Sequence, residues 1–253
     1  MTTAPVLPGA EPLSAVGTNG FGALVLHGFT GSPQSMRGIA EAFAGAGYSV
    51  EMPLLPGHGT SVEDMLTTGW ADWSGHAEAT YVALAERVNR VVVIGLSMGG
   101  TLSAWLATRH GDIAGLVLIN GALEPMHPDV RGMFQGMADA GGTLIPGIGS
   151  DIAMPDTHEL AYAETPISGL LSLAAGGDEL DAELGSITMP SLVMYSPQDH
   201  VVPVTAAPHY AAKVAGAVEM VVLERSYHVA TLDYDRDLII ERALAFAAKV
   251  CAS

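Results

Sequence analysis

Short apolar runs alternate with longer amphipathic stretches along most of this chain. "GALVLHG" (22–28), "YSVEMP" (48–53), "RVVVIG" (90–95), "AGLVLIN" (114–120), "PSLVMYS" (190–196) and "AVEMVVLE" (217–224) read as strands. Their continuous Val, Ile and Leu content fits strands covered on both faces. Between them, "PQSMRGIAEAFAGAG" (33–47), "DWSGHAEATYVALAERV" (72–88) and "SMGGTLSAWLATRHG" (97–111) carry helical spacing, with Gly47 and Gly111 as stops. A last helix is expected from Asp233 to Lys249. Strands alternating with helices predict an α/β fold: a mostly parallel sheet with helices on both faces.

Residues 121–186 break that rhythm. They are rich in Gly, Met and Pro, show only short helical patches, and separate two strands by more than a plain connection needs. We read them as an inserted cap within a single domain spanning 1–253. Met126, Met133, Met137, Met154 and "ISGLLSLAAGG" give the cap a pliable apolar surface.

The chain has 253 residues, enough for one large domain. Ten Lys plus Arg against 27 Asp plus Glu leave a net charge of −17, which disfavours nucleic acid and anionic membranes and favours neutral or cationic ligands. Cys251 is the single cysteine, so neither an internal disulfide nor a CxxC site is available. The opening "MTTAPVLPGAEPL" lacks the basic and apolar regions of a signal peptide. The uncharged stretch Val91–Thr108 is interrupted by Gly95, Ser97, Gly99 and Gly100 and is not read as a membrane span. A soluble cytoplasmic protein is expected; its oligomeric state is not legible.

"GLSMGG" (95–100) closes one strand and opens a helix. This is G-x-S-x-G in the context its chemistry needs: a sharp turn without side chains at Gly95 and Gly99, lifting the Ser97 hydroxyl to the top of the sheet. A serine nucleophile requires a base, and the base an orienting acid, following in the order Ser, acid, His. Beyond the cap, His200 directly follows a turn aspartate and His209 sits in a helical run. His228 lies in the loop after the last strand, where α/β sites assemble, and is read as the base. Asp199, just past strand 190–196, is favoured as the acid over Asp233, Asp235 and Asp178. Asp233 is read as the N-cap of the last helix. The Met98 N–H and the Phe29 N–H in "HGFTGSP" are expected to form an oxyanion hole, with the Phe29 side chain free to line an acyl pocket. His27 and His58 are read as bracing residues, and Trp70, Trp73 and Trp105 as core.

At "LVLHGFTGSPQSMR", "PLLPGHGTSVEDM", "GLSMGGTL", "DHVVP" and "SYHVATLDYD" the chain resembles the α/β-hydrolase superfamily. Within it, the chain is similar to bacterial monoacylglycerol lipases and small bacterial carboxylesterases. The resemblance implies a triad at Ser97, Asp199 and His228 and an oxyanion hole at the Phe29 and Met98 amides. It implies a small cap over a hydrophobic acyl tunnel, within which Ile148 walls the pocket and Glu159 accepts hydrogen bonds from glycerol. It further implies a lipidic ester substrate, with no metal or organic cofactor.

Overall fold

The computed structural model describes residues 4–252. The chain opens with β1 (Leu13–Ala15) and β2 (Phe21–Leu26), followed by helix α1 (Arg37–Gly45) and β3 (Ser49–Met52). A short α2 (Val62–Met65) and the long α3 (Trp70–Ala85) lead to β4 (Arg90–Leu96), α4 (Met98–Arg109) and β5 (Gly115–Ile119). Next come α5 (Pro128–Asp139), β6 (Leu144–Pro146), β7 (Glu164–Pro166) and α6 (Ile167–Glu183). The chain ends with β8 (Ser191–Tyr195), α7 (Ala206–Lys213), β9 (Val218–Val222) and α8 (Arg236–Cys251).

The main sheet has the order β1-β3-β2-β4-β5-β8-β9 and is parallel except for β1, which pairs antiparallel with β3. Six of its seven strands fall on the runs read from the sequence. β1 escapes such reading because three half-exposed residues at a sheet edge carry no apolar pattern.

Within each central strand the side chains divide by period two. Ala23, Val25, Val92, Ile94, Val117 and Ile119 pack into one core with Ile39 and Phe43 of α1 and Ile239 and Phe246 of α8. Leu24, Leu26, Val93, Leu116 and Leu118 pack into the other with α3, α4 and α7. Burial on both sides is why these strands read as continuous apolar runs rather than alternating ones. The chain runs from β2 outward to β3, then returns across β2 to β4. Strand order therefore reverses between β2 and β4, and in open α/β sheets ligands bind at the strand C-terminal ends of such a reversal.

The 121–186 region is more regular than its sequence indicated. It holds the twelve-residue α5, the β6–β7 hairpin and the seventeen-residue α6. The glycines that hid α6 serve close approach: a Cβ on Gly176 would lie 2.1 Å from the Trp70 ring. α6 packs on α3 and α4, whereas α5 buries none of its residues, leaving Met133 and Met137 exposed. Among the described residues no helix is long and apolar enough to cross a membrane.

Candidate active site

The turn after β4 is built around Ser97, whose backbone sits at φ 55, ψ −119. A non-glycine residue there costs about 1–3 kcal/mol and persists only where its surroundings enforce it. Two glycines make the enforcement sterically feasible. A Cβ on Gly95 would lie 2.0 Å from the Gly99 carbonyl oxygen, and one on Gly99 would lie 2.1 Å from that of Leu26. The Ser97 N–H donates to the Ile119 carbonyl at 3.0 Å, and the Ser97 carbonyl accepts from Gly100 at 2.9 Å, so the turn runs directly into α4.

The loop after β2 lies against this turn. A Cβ at Gly28 would be 3.4 Å from the Ser97 Cβ and 3.9 Å from its Oγ. Among the described residues neither the Phe29 N–H nor the Met98 N–H has an acceptor, so both donors are available to a ligand oxygen. His27 braces the loop from below: Nδ1 bonds the Gly28 carbonyl at 2.9 Å and Nε2 accepts from the Leu55 N–H at 3.2 Å. Burial pushes its pKa down to about 4, which keeps the ring neutral. His58 is buried beside it, and burial and then His27 lower its pKa to about 3. The Phe29 ring stands edge-on to Trp73, centroids 5.4 Å apart, and touches α6 at Gly169.

Asp199 and His228 come from the loops following β8 and β9. Asp199 Oδ1 accepts the N–H groups of Val201 and Val202 at 2.7 and 2.8 Å, while Oδ2 meets His228 Nδ1 at 2.7 Å. A carboxylate only accepts, so Nδ1 carries the proton and Nε2 is left as the free lone pair. The Asp199 side chain is 3% exposed and that of His228 is 9% exposed. His200 and His209 are engaged elsewhere, with Asp151 and Asp181 respectively. Asp178 pairs with Arg131.

Asp233 does not cap α8; Asp235 stands at that position. The Asp233 carboxylate is fully buried and accepts four N–H groups, from Tyr227, Tyr234, Ala153 and Met154, at 2.7 to 2.9 Å. A desolvated carboxylate needs such donors, and two loops supply more of them than one helix end would. Asp235 accepts from the Arg225 N–H and the Ser226 hydroxyl.

Sequence reading missed Asn120, which directly follows β5 at φ 42. Its Nδ2 donates to the carbonyls of Tyr227 and His228 and to Ser196 Oγ, and its Oδ1 accepts from the Ser196 N–H. It joins the two loops that carry Asp199 and His228. Its positive φ suits an asparagine, but nothing in "VLING" distinguishes it from a loop residue.

Residues 158–162 lie against the loops that follow β2 and β3. Leu160 N–H donates to Gln34, Tyr162 N–H to the Thr30 carbonyl, and the Tyr162 hydroxyl to the Gly57 carbonyl. This brings Glu159 beside Gly31, Ser35 and His228. Burial raises its pKa to about 7, partly opposed by His228 and the Ser35 hydroxyl. Ile148, on the same segment, is not drawn into the cluster and is 66% exposed.

A family profile described as "Serine aminopeptidase, S33" matches residues 23–235. A thermostable monoacylglycerol lipase of Bacillus sp. (strain H-257) is 48% identical over 250 residues, 97% of each chain. A carboxylesterase of Bacillus subtilis (strain 168) is 27% identical over 90% of this chain and 92% of its own. Among solved structures, one from work on two metagenome-derived lipolytic enzymes, LipS and LipT, superposes with a TM-score of 0.92 at 44% identity, covering 97% of this chain and all of its own. The crystal structure of Paleococcus ferrophilus monoacylglycerol lipase, at 17% identity and TM-score 0.74, shares the fold and covers 96% of this chain and 100% of its own. The chain thus belongs to the α/β-hydrolase family of serine hydrolases, and it is an enzyme of that class.

Proposed function

We propose that this protein hydrolyses neutral lipidic esters, monoacylglycerols in preference to simple alkyl esters, through an acyl-enzyme on Ser97. The reading rests above all on the buried 2.7 Å pair of His228 and Asp199, set at the same end of the sheet as the strained Ser97 turn. His228 Nε2 takes the hydroxyl proton as Ser97 Oγ attacks the ester carbonyl. Asp199 holds the tautomer and stabilises the imidazolium. The Phe29 and Met98 amides receive the oxyanion. His228 returns the proton to the leaving alcohol, and water then releases the fatty acid by the same steps in reverse.

Residues 121–186 act as a cap. The acyl chain lies along Phe29 and the apolar side of α6, where each buried methylene contributes about 0.8 kcal/mol. Glu159 accepts hydrogen bonds from the glycerol hydroxyls. The 48% identity to a monoacylglycerol lipase supports glycerol as the alcohol.

A panel of esters sharing one decanoyl chain, with glycerol, ethanol or p-nitrophenol as the alcohol, tests this. The glycerol ester should have the highest kcat/KM of the natural alcohols, and Ser97→Ala should lose at least about 10³-fold on all of them. Equal rates for glycerol and ethyl esters would leave a general carboxylesterase. Turnover retained by Ser97→Ala would remove the serine mechanism.

A further inference from the structure

The segment that enters the cap at residues 151–154 is stitched to the loop bearing His228 by two carboxylates facing opposite ways. From the cap, Asp151 Oδ2 accepts the His228 N–H at 3.0 Å and the His200 N–H at 3.2 Å, and its Oδ1 meets the His200 ring at 2.8 Å. The Asp151 carbonyl accepts from Val229 at 3.0 Å. From the base loop, Asp233 accepts from Ala153 and Met154 in return.

Between β9 and the short 3-10 turn Ala230–Leu232, the base loop has no strand or helix, so these contacts help hold its backbone at His228. Asn120 holds the Tyr227 and His228 carbonyls from the sheet side, and Asp151 holds the His228 N–H from the cap side. His200 directly follows Asp199. One side chain, 13% exposed, therefore grips both the residue after the acid and the base itself.

We propose that Asp151 is a positioning residue for ester hydrolysis: it fixes the His228 backbone against the Asp199 loop, so the reactive geometry depends on the seating of the cap. The proposal rests on the triad reading above. Charge-assisted bonds to main-chain N–H groups suit this task because they leave the imidazole free to turn over protons. The same segment leads to Glu159, whose N–H donates to Ser150 Oγ at 2.8 Å, so the alcohol side of the crevice and the base share one anchor.

The test compares Asp151→Ala and Asp151→Asn, using the full chain and a water-soluble p-nitrophenyl ester. Asp151→Ala should lose about 10- to 100-fold in kcat, as a misplaced catalytic group does, with KM changed less than about threefold. Asp151→Asn retains an oxygen to accept the His228 N–H and should recover most of kcat. The downfield proton signal of His228 Nδ1, identified by its loss in His228→Ala, should broaden or shift in Asp151→Ala and return in Asp151→Asn. Wild-type kcat in Asp151→Ala, a loss confined to KM, or an unchanged Nδ1 signal would overturn the proposal. Variants that do not fold would make Asp151 a residue of stability alone and overturn it too. Ser97→Ala assayed alongside separates the two readings: activity there would sink the triad, whereas an inert Ser97→Ala with a fully active Asp151→Ala would sink only the positioning role.

Discussion

His228 and Asp199 are 29 positions apart in the chain and 2.7 Å apart in the fold, while Asp233, five residues from His228, is engaged by main-chain amides instead. The pair is made by two neighbouring parallel strands, β8 and β9, whose C-terminal loops meet. The proximity of His228 to Asp233 in sequence has no counterpart in the hydrogen bonding of the ring.

Replacing Asp199 by Asn tests the orienting role without dismantling the loop. The amide oxygen can still accept from Val201 and Val202, as Oδ1 does now. The amide nitrogen, however, would present a donor to the protonated Nδ1 and favour the opposite tautomer. A loss of about 10⁴-fold in kcat is expected, with the melting temperature lowered by only a few degrees. A variant within tenfold of wild type would show that Asp199 does not orient the base.

The surroundings of two glycines predict opposite signs on substitution. Gly99→Ala must push a methyl group into the Leu26 carbonyl, and either the turn or the strand beneath it has to move. A stability loss of several kcal/mol and near-complete loss of activity should follow. Gly38, in α1, has open space around its added Cβ. Gly38→Ala should raise stability by about 0.4–1 kcal/mol with activity intact. Thermal melts of both variants decide the matter; a neutral Gly99→Ala would contradict the geometry of the elbow.

Glu159 gives stability a specific pH dependence. Its folded pKa of about 7 lies above the ordinary carboxyl value of 4.5. Between those values the native state holds the proton more often than the unfolded chain, so its contribution falls as pH rises through the window and is flat above it. Glu159→Gln removes the penalty. Relative to wild type it should be more stable at pH 8 by on the order of 1–3 kcal/mol and no more stable at pH 4. The kcat/KM ratio of glycerol to ethyl ester should also fall in this variant. A melting-temperature difference independent of pH would show that Glu159 is not desolvated.

Much of this arrangement was legible beforehand because it depends on local pattern. Doubly buried strands announce themselves as Val/Ile/Leu runs, and the elbow as two glycines around a serine between a strand and a helix. The meeting of His228 with Asp199 follows from their positions in loops after neighbouring strands. What escaped depends on contacts between distant backbones. Asn120, Asp151 and Asp233 act on main-chain N–H and C=O groups, which any sequence supplies, so no residue spacing marks them. Asp233 preceding an apolar-periodic stretch resembles a helix cap, but burial between two loops overrides that preference. Likewise Gly169, Gly176 and Gly177 depress the helix signal of α6, although Gly169 and Gly176 lie where Phe29 and Trp70 press against it.

Residues 121–186 leave after β5 and return at β8, and these two strands are hydrogen-bonded neighbours, Leu116 beside Ser191 through Ile119 beside Met194. The sheet closes across that seam with unbroken register, as though nothing had been spliced in. Growth or loss of chain between the two strands therefore leaves the alignment of β4, β8 and β9 unchanged. A single contiguous block can be exchanged there without re-registering the sheet. The hydrogen bonds that residues 151–154 make with the His228 loop belong to that block.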